Sequence, residues 1–233
     1  MFIPLKDDNP LKLIRFQYVS LAVIILNVLV FFLTGPLRGD EALLLTEVGF
    51  GVVPSELLDQ TRFPNPAFNP VAEPLTLITY MFLHAGWLHL LSNMAFMWVF
   101  ADNVEDAFGS VGFALFYLLC GVAAAMTHVL MLPNSHDPLV GASGAVSGVL
   151  AAYLLLYPRA RVWVLVVMPI PIKIPAWIVL GGWIVLQVVS LYMESADVQE
   201  VAWWAHIGGF GMGLVFTLLL RSPLFVRNTE RAH

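Results

Sequence analysis

The sequence predicts an all-α polytopic membrane protein: one bundle of six transmembrane helices, both termini cytoplasmic, with a short central fourth helix. Three observations predict it. The 233 residues are 59% hydrophobic and 12% charged, with mean hydropathy +0.82, whereas a soluble domain is roughly 45–50% apolar and 25% charged. Apolar runs near or above the about 18–20 residues that cross a ~30 Å hydrocarbon core recur along the whole chain. The basic residues are segregated: Lys6, Lys12, Arg15, Arg159, Arg161, Lys173, Arg221, Arg227 and Arg231 fall in segments that share one side, and only Arg38 and Arg62 fall on the other. The positive-inside rule then puts both termini in the cytoplasm, as an even number of spans requires.

The same numbers exclude some functions. A net charge of -5 with no basic block gives no footing for nucleic acid. The single cysteine, Cys120, has no internal disulfide partner and sits in an apolar run, as an inert buried thiol would.

In order, residues 1–15 read as a cytoplasmic tail, 16–221 as the membrane domain, and 222–233 as a second cytoplasmic tail. The run Phe16–Thr34 follows Lys6, Lys12 and Arg15 like a signal peptide, but its length and the lack of a small-x-small site afterwards mark a retained anchor. The external loop, about 35–86, carries "LLLTEVGFGVVPSELL" and "RFPNPAFNPVAEP". Its apolar content predicts short amphipathic helices lying on the membrane surface. Further spans are expected at about 87–104, 111–131, 143–157, 174–193 and 203–221. The chain shows no internal repeat of the kind that builds many transporters.

The fourth span is too short for its task. Fifteen residues from Ser143 to Tyr157, before Pro158, cover about 22 Å of a ~30 Å core, so its start lies below the outer surface, after the irregular "LPNSHDPLVGA". Irregular backbone at that depth needs surrounding protein or water, which predicts a wet cavity at Ser143. Flanked by Gly141 and Gly144, Ser143 stands where a loop turns sharply into a helix with free N–H groups beside the hydroxyl. That arrangement suits a nucleophile, but taken alone it is weak and reads first as an ordinary N-cap. Ser147, one turn on, reads as packing.

A serine nucleophile needs a base. In "AHIGGFGMG", His206, Gly209 and Gly213 share one helix face. The glycines form a groove into which the row Gly144, Gly148 and Ala152 would pack, bringing His206 towards Ser143. An intramembrane histidine is a functional candidate, though a satisfied interfacial histidine is the alternative. In "HAGWLHLLSNMAFMW", His89 and Asn93 are one turn apart and suit an oxyanion hole, while His84 is expected to point elsewhere and orient the loop. His128 and His136 show no partner. There is no HExxH or cysteine cluster, so no metal or other cofactor is expected. Asp102, Glu105 and Asp106 cluster at the far end of the second span and Asp137 reads as a solvated loop charge, which leaves a Ser143–His206 dyad.

The ordered set from "TYMFLHAGWLHLLSNM" to "AHIGGFGMG", residues 79 to 213, resembles the rhomboid family of intramembrane serine proteases. The resemblance implies Ser143 as nucleophile and His206 as general base, then acid. It also implies His89 and Asn93 as oxyanion donors together with the Ser143 N–H. The loop before the fourth span and the fifth span with its following loop would form the substrate route. The implied activity is endoproteolysis of transmembrane segments through an acyl-enzyme, with single-span or polytopic membrane proteins as substrates. Two departures stand out. The Trp-Arg pair that many relatives carry in the first loop is absent from "EPLTLITYMFLH", and the family's G-xxx-E-xxx-G pattern reads Ala101, Glu105 and Gly109. No seventh span after Arg221 and no cytosolic domain before Phe16 are expected. A prokaryotic plasma membrane is the simplest setting, and the sequence carries no signal of oligomeric state. The competing readings are a non-catalytic adaptor of the same fold and a small transporter.

Overall fold

The computed structural model describes residues 2–59, 70–167, 170–193 and 202–220. Six main helices occupy the expected positions: α1 (Tyr18–Thr34), α5 (Trp87–Phe108), α6 (Ser110–Met131), α7 (Ser143–Leu156), α8 (Ala176–Met193) and α9 (Trp203–Leu220). Three short helices, α2 (Asp40–Phe50), α3 (Pro54–Asp59) and α4 (Glu73–Thr79), lie in the first loop, as its apolar content predicts. By length and composition, the segments at α1, α6, α8 and α9 are each able to cross a membrane. The α4–α5 pair, bent by 82°, is a fifth candidate, and α7 is a shorter apolar helix. Residues 60–69, including Arg62, and the tail 222–233 with Arg221 lie outside the described residues.

The all-α expectation needs correction. Strand β1 (Ile3–Asp7) pairs antiparallel with β2 (Arg161–Val167), and β2 with β3 (Ile170–Pro175), in the order β1-β2-β3. Ile3 lies opposite Leu165, Asp7 opposite Val162, and Val164 opposite Ile172. The residues expected to form a tail (1–15) and a loop (158–173) therefore contribute a small sheet, and the fifth helix begins at Ala176 because Ile174 and Pro175 belong to β3. "RVWVLVV" is rich in β-branched and aromatic residues, which favour a pleated surface, and Val162 and Val164 alternate onto the buried face.

In helix α7 every residue from Gly144 to Tyr153 is buried. Small residues permit this. A Cβ on Gly209 would come within 1.9 Å of the Gly144 carbonyl oxygen, and one on Gly213 within 2.4 Å of the Gly148 oxygen. The α7 and α9 backbones touch along the predicted groove. On its other side, Gly148 lies against the buried Cys120 of α6.

At the far end of α5, two carboxylates close the start of α1. Glu105 accepts from the Val19 and Ser20 N–H groups (3.1 and 2.8 Å), the Ser20 hydroxyl (2.7 Å) and the Ser110 hydroxyl (2.6 Å). Asp106 accepts from the backbone N–H groups of Lys12, Leu13 and Ile14. Helix α1 has no side-chain cap of its own, so α5 supplies acceptors to its otherwise unpaired donors.

The first loop is braced without a Trp-Arg pair. Val52 and Leu139 form an antiparallel bridge, the Thr79 hydroxyl donates to the Phe50 carbonyl (2.6 Å), and Ser55 Oγ lies 2.9 Å from His136 Nδ1. His136, read from sequence as partnerless, thus ties the loop preceding α7 to α3.

Candidate active site

The chain reaches Ser143 through a turn that only glycine fits. Gly141 has φ +120°, and a Cβ there would lie 2.5 Å from His89 Nε2. Its N–H donates to the Tyr80 carbonyl (2.9 Å), and the Tyr80 hydroxyl donates to the Gly121 carbonyl on α6 (2.7 Å). The turn is therefore fastened to the core before α7 begins. Ala142 holds the N-cap position with no side-chain cap bond, and Ser143 is the first helical residue. The capping alternative for Ser143 is thereby removed: the residue is partly buried and its hydroxyl meets His206 Nε2 at 2.8 Å. Ser147 is fully buried and donates to the Ser143 carbonyl (2.6 Å), as a packing residue would.

His206, buried near the start of α9, has a second partner that sequence reading missed: its Nδ1 lies 2.8 Å from Gln187 Oε1 on α8. An oxygen acceptor at Nδ1 keeps the proton there, which leaves the Nε2 lone pair facing the serine hydroxyl. The Trp183 and Trp203 rings flank the imidazole at 5.8 and 6.1 Å. The partner of Nδ1 is thus an amide, not an acid. Asp137 is exposed, while Glu105 and Asp106 are engaged at α1. A lone glutamine in an apolar helix was the available signal, since intramembrane polar side chains seek partners in the bundle.

His89 and Asn93 sit one turn apart on α5. His89 faces Gly141, and the buried Asn93 donates through Nδ2 to His84 Nε2 at 3.1 Å. His84 corrects the expectation that it points elsewhere. It precedes the first residue of α5, so helical periodicity does not govern it. The loop folds its ring back to 4.9 Å from His89 in an edge-on contact. His128, buried at the end of α6, has an Nδ1 with no hydrogen-bond partner among the described residues.

This geometry defines a helical membrane domain that holds a serine against a histidine oriented from behind. The family model described as rhomboid domain matches residues 71–223, more than half of the chain, and the chain belongs to the rhomboid family. It is 34% identical over 153 residues to Rhomboid-like protein 11, chloroplastic, of Arabidopsis thaliana, covering 61% of this chain and 51% of that one. It is 32% identical over 139 residues to Rhomboid protease GluP of Bacillus subtilis, covering 60% and 24%. It is 36% identical over 80 residues to Inactive rhomboid protein 1 of Drosophila melanogaster, covering 34% and 6%. The chain spans about half the length of the first of these relatives and less of the other two. Other relatives are named as mitochondrial. The comparisons therefore support residence in a membrane and lend no support to the expected prokaryotic plasma membrane in particular.

Proposed function

We propose that the chain is an intramembrane serine endopeptidase that cleaves transmembrane segments of membrane-protein substrates. The observation that carries this reading is the 2.8 Å contact between Ser143 Oγ and His206 Nε2, with Gln187 on the opposite ring nitrogen. Ser143 Oγ attacks the scissile carbonyl carbon as His206 Nε2 takes its proton. The Ser143 N–H, His89 and Asn93 stabilise the oxyanion of the tetrahedral intermediate. His206 returns the proton to the leaving amine and an ester to Ser143 remains. Water, deprotonated by the same nitrogen, then releases the acid product. Metal and cofactor have no part in these steps.

The bilayer reading completes the account. The six main helices are six spans of a domain over about 16–221, with both termini and the three-stranded sheet on the cytoplasmic side, where Lys6, Arg161 and Lys173 gather. Fourteen residues give α7 a length of about 21 Å, so Ser143 opens below the outer surface of a ~30 Å core, and water reaches it from that side. A substrate helix must unwind before its carbonyls are accessible, so substrates carry helix-weakening residues near the cut. One relative bears the name inactive; the paired serine and histidine here favour catalysis over an adaptor role.

The test is cleavage in liposomes of a single-span substrate with glycines in its membrane segment. Cutting within that segment by wild type and none by Ser143→Ala is expected. Equal cutting by the variant refutes the assignment.

A further inference from the structure

Helix α8 is held to the bundle in two unequal halves. Ala176, Val179 and Leu180 are buried at its start; beyond Leu180, Gln187 is the only buried residue. Around Gln187 the surface faces outward: Val185, Leu186 and Tyr192 are 59%, 61% and 83% exposed. The side chain one turn before it, Trp183, also meets His206, at 5.8 Å. Within this half of α8, the hydrogen bond to His206 is the one buried polar contact to another helix among the described residues.

We propose that Gln187 is the positioning residue for His206, and that docking of the second half of α8 and activation of the base are therefore one event. Two physical requirements meet in this bond. A buried amide oxygen without a donor loses its hydrogen-bond energy and has no water to replace it, so the bond draws α8 inward. An imidazole without its Nδ1 acceptor is free to take the other tautomer, whose Nε2–H is unable to receive the serine proton. Displacing this half of α8 removes the acceptor and the competent tautomer together. The kinetic consequence rests on the protease reading; the structural one does not.

The experiment compares wild type, Gln187→Met, which keeps the side-chain length without an acceptor, and Gln187→Glu, which keeps the acceptor. Three readouts are taken: cleavage kinetics, the nitrogen-15 tautomer signature of His206 (assigned by its loss in His206→Ala), and backbone hydrogen exchange over residues 183–193. For Gln187→Met, kcat should fall by up to about 10⁴-fold, the scale on which loss of the competent histidine tautomer acts, with KM unchanged. His206 should lose its single Nδ1–H signature and exchange over 183–193 should quicken. Gln187→Glu should restore all three towards wild type. Wild-type tautomer and exchange in Gln187→Met overturn the proposal, whatever the change in kcat. An inert but folded wild type refutes the protease reading alone, and the tautomer and exchange measurements still decide this one.

Discussion

The two ends of α7 make opposite use of buried polar groups. Ser143 stands at one end; Tyr153, ten residues and about 15 Å further on, stands at the other. At the Tyr153 end the groups are carboxylates and their donors. Asp7 accepts from the Tyr153 hydroxyl and from Asn103 Nδ2, Asn9 donates to Asn103, and Glu105 and Asp106 close the start of α1. At the Ser143 end the groups are hydroxyl, imidazole and amide, and two ring nitrogens, His84 Nδ1 and His128 Nδ1, have no hydrogen-bond partner among the described residues. The comparison teaches where the fold is fastened and where it keeps chemistry available. Glu105 and Asp106, bonded largely to backbone donors, tie α5 to α1 and the segment before it, and Asp7, bonded to Tyr153 and Asn103, ties in the sheet, whereas at the other end Ser143 is only partly buried.

The largest expected effect falls at the Ser143 end. Ser143→Ala and His206→Ala should each remove about 10⁶-fold of kcat, as when a serine or histidine of a nucleophilic pair is deleted, and Ser143→Ala should do so with no change in thermal unfolding. A melting temperature lowered along with activity would blur the division between the ends. Next is Gly209→Ala, which breaks the comparison by disturbing the seam joining α7 to α9. With its added carbon 1.9 Å from the Gly144 oxygen, it should cost both stability and activity, measured by unfolding midpoint and initial rate together. Asn93→Ala should slow cleavage by about 10²–10³-fold, the effect of one oxyanion donor. A loss as deep as that of Ser143→Ala would rule out this role.

At the other end the expected change is in stability alone. Glu105→Gln should lower the unfolding midpoint, since charge-assisted bonds to three α1 donors are weakened. The cleavage rate of the folded fraction should be unchanged. Smallest is a pH effect at Asp7. Burial, reinforced by nearby Asp102 and opposed by the Tyr153 hydrogen bond, pushes the Asp7 carboxyl up to about 6. Because folding raises this value, the folded state binds the proton more tightly than the unfolded one. The contribution is full below about 4 and is lost as the pH rises through about 6. Asp7→Asn should flatten the stability profile between those limits, checked by thermal unfolding across the range. An unchanged profile would remove Asp7 from the account.

The meeting of Ser143 with His206 was legible in the sequence, and its surroundings only partly so. Ser143 and His206 were readable because a short apolar span and a glycine groove dictate which backbones meet, and Gly144 against Gly209 is that meeting. Gln187 was missed because the search for an orienting group was a search for an acid. His84 was misplaced by extending helical periodicity past the start of α5. The sheet was invisible because β1 pairs with a strand more than 150 residues away, and no local pattern in "FIPLKD" announces that partner. The acids of α5 were located correctly, while their partners, the free N–H groups of α1 and the segment before it, follow only from tertiary packing.

The most direct test of the central claim is labelling of the detergent-purified protein with a fluorophosphonate, with the adduct located by peptide mass. The account predicts one adduct, on Ser143, absent from both Ser143→Ala and His206→Ala. An adduct that persists in Ser143→Ala, or a folded wild type that takes none, would contradict it.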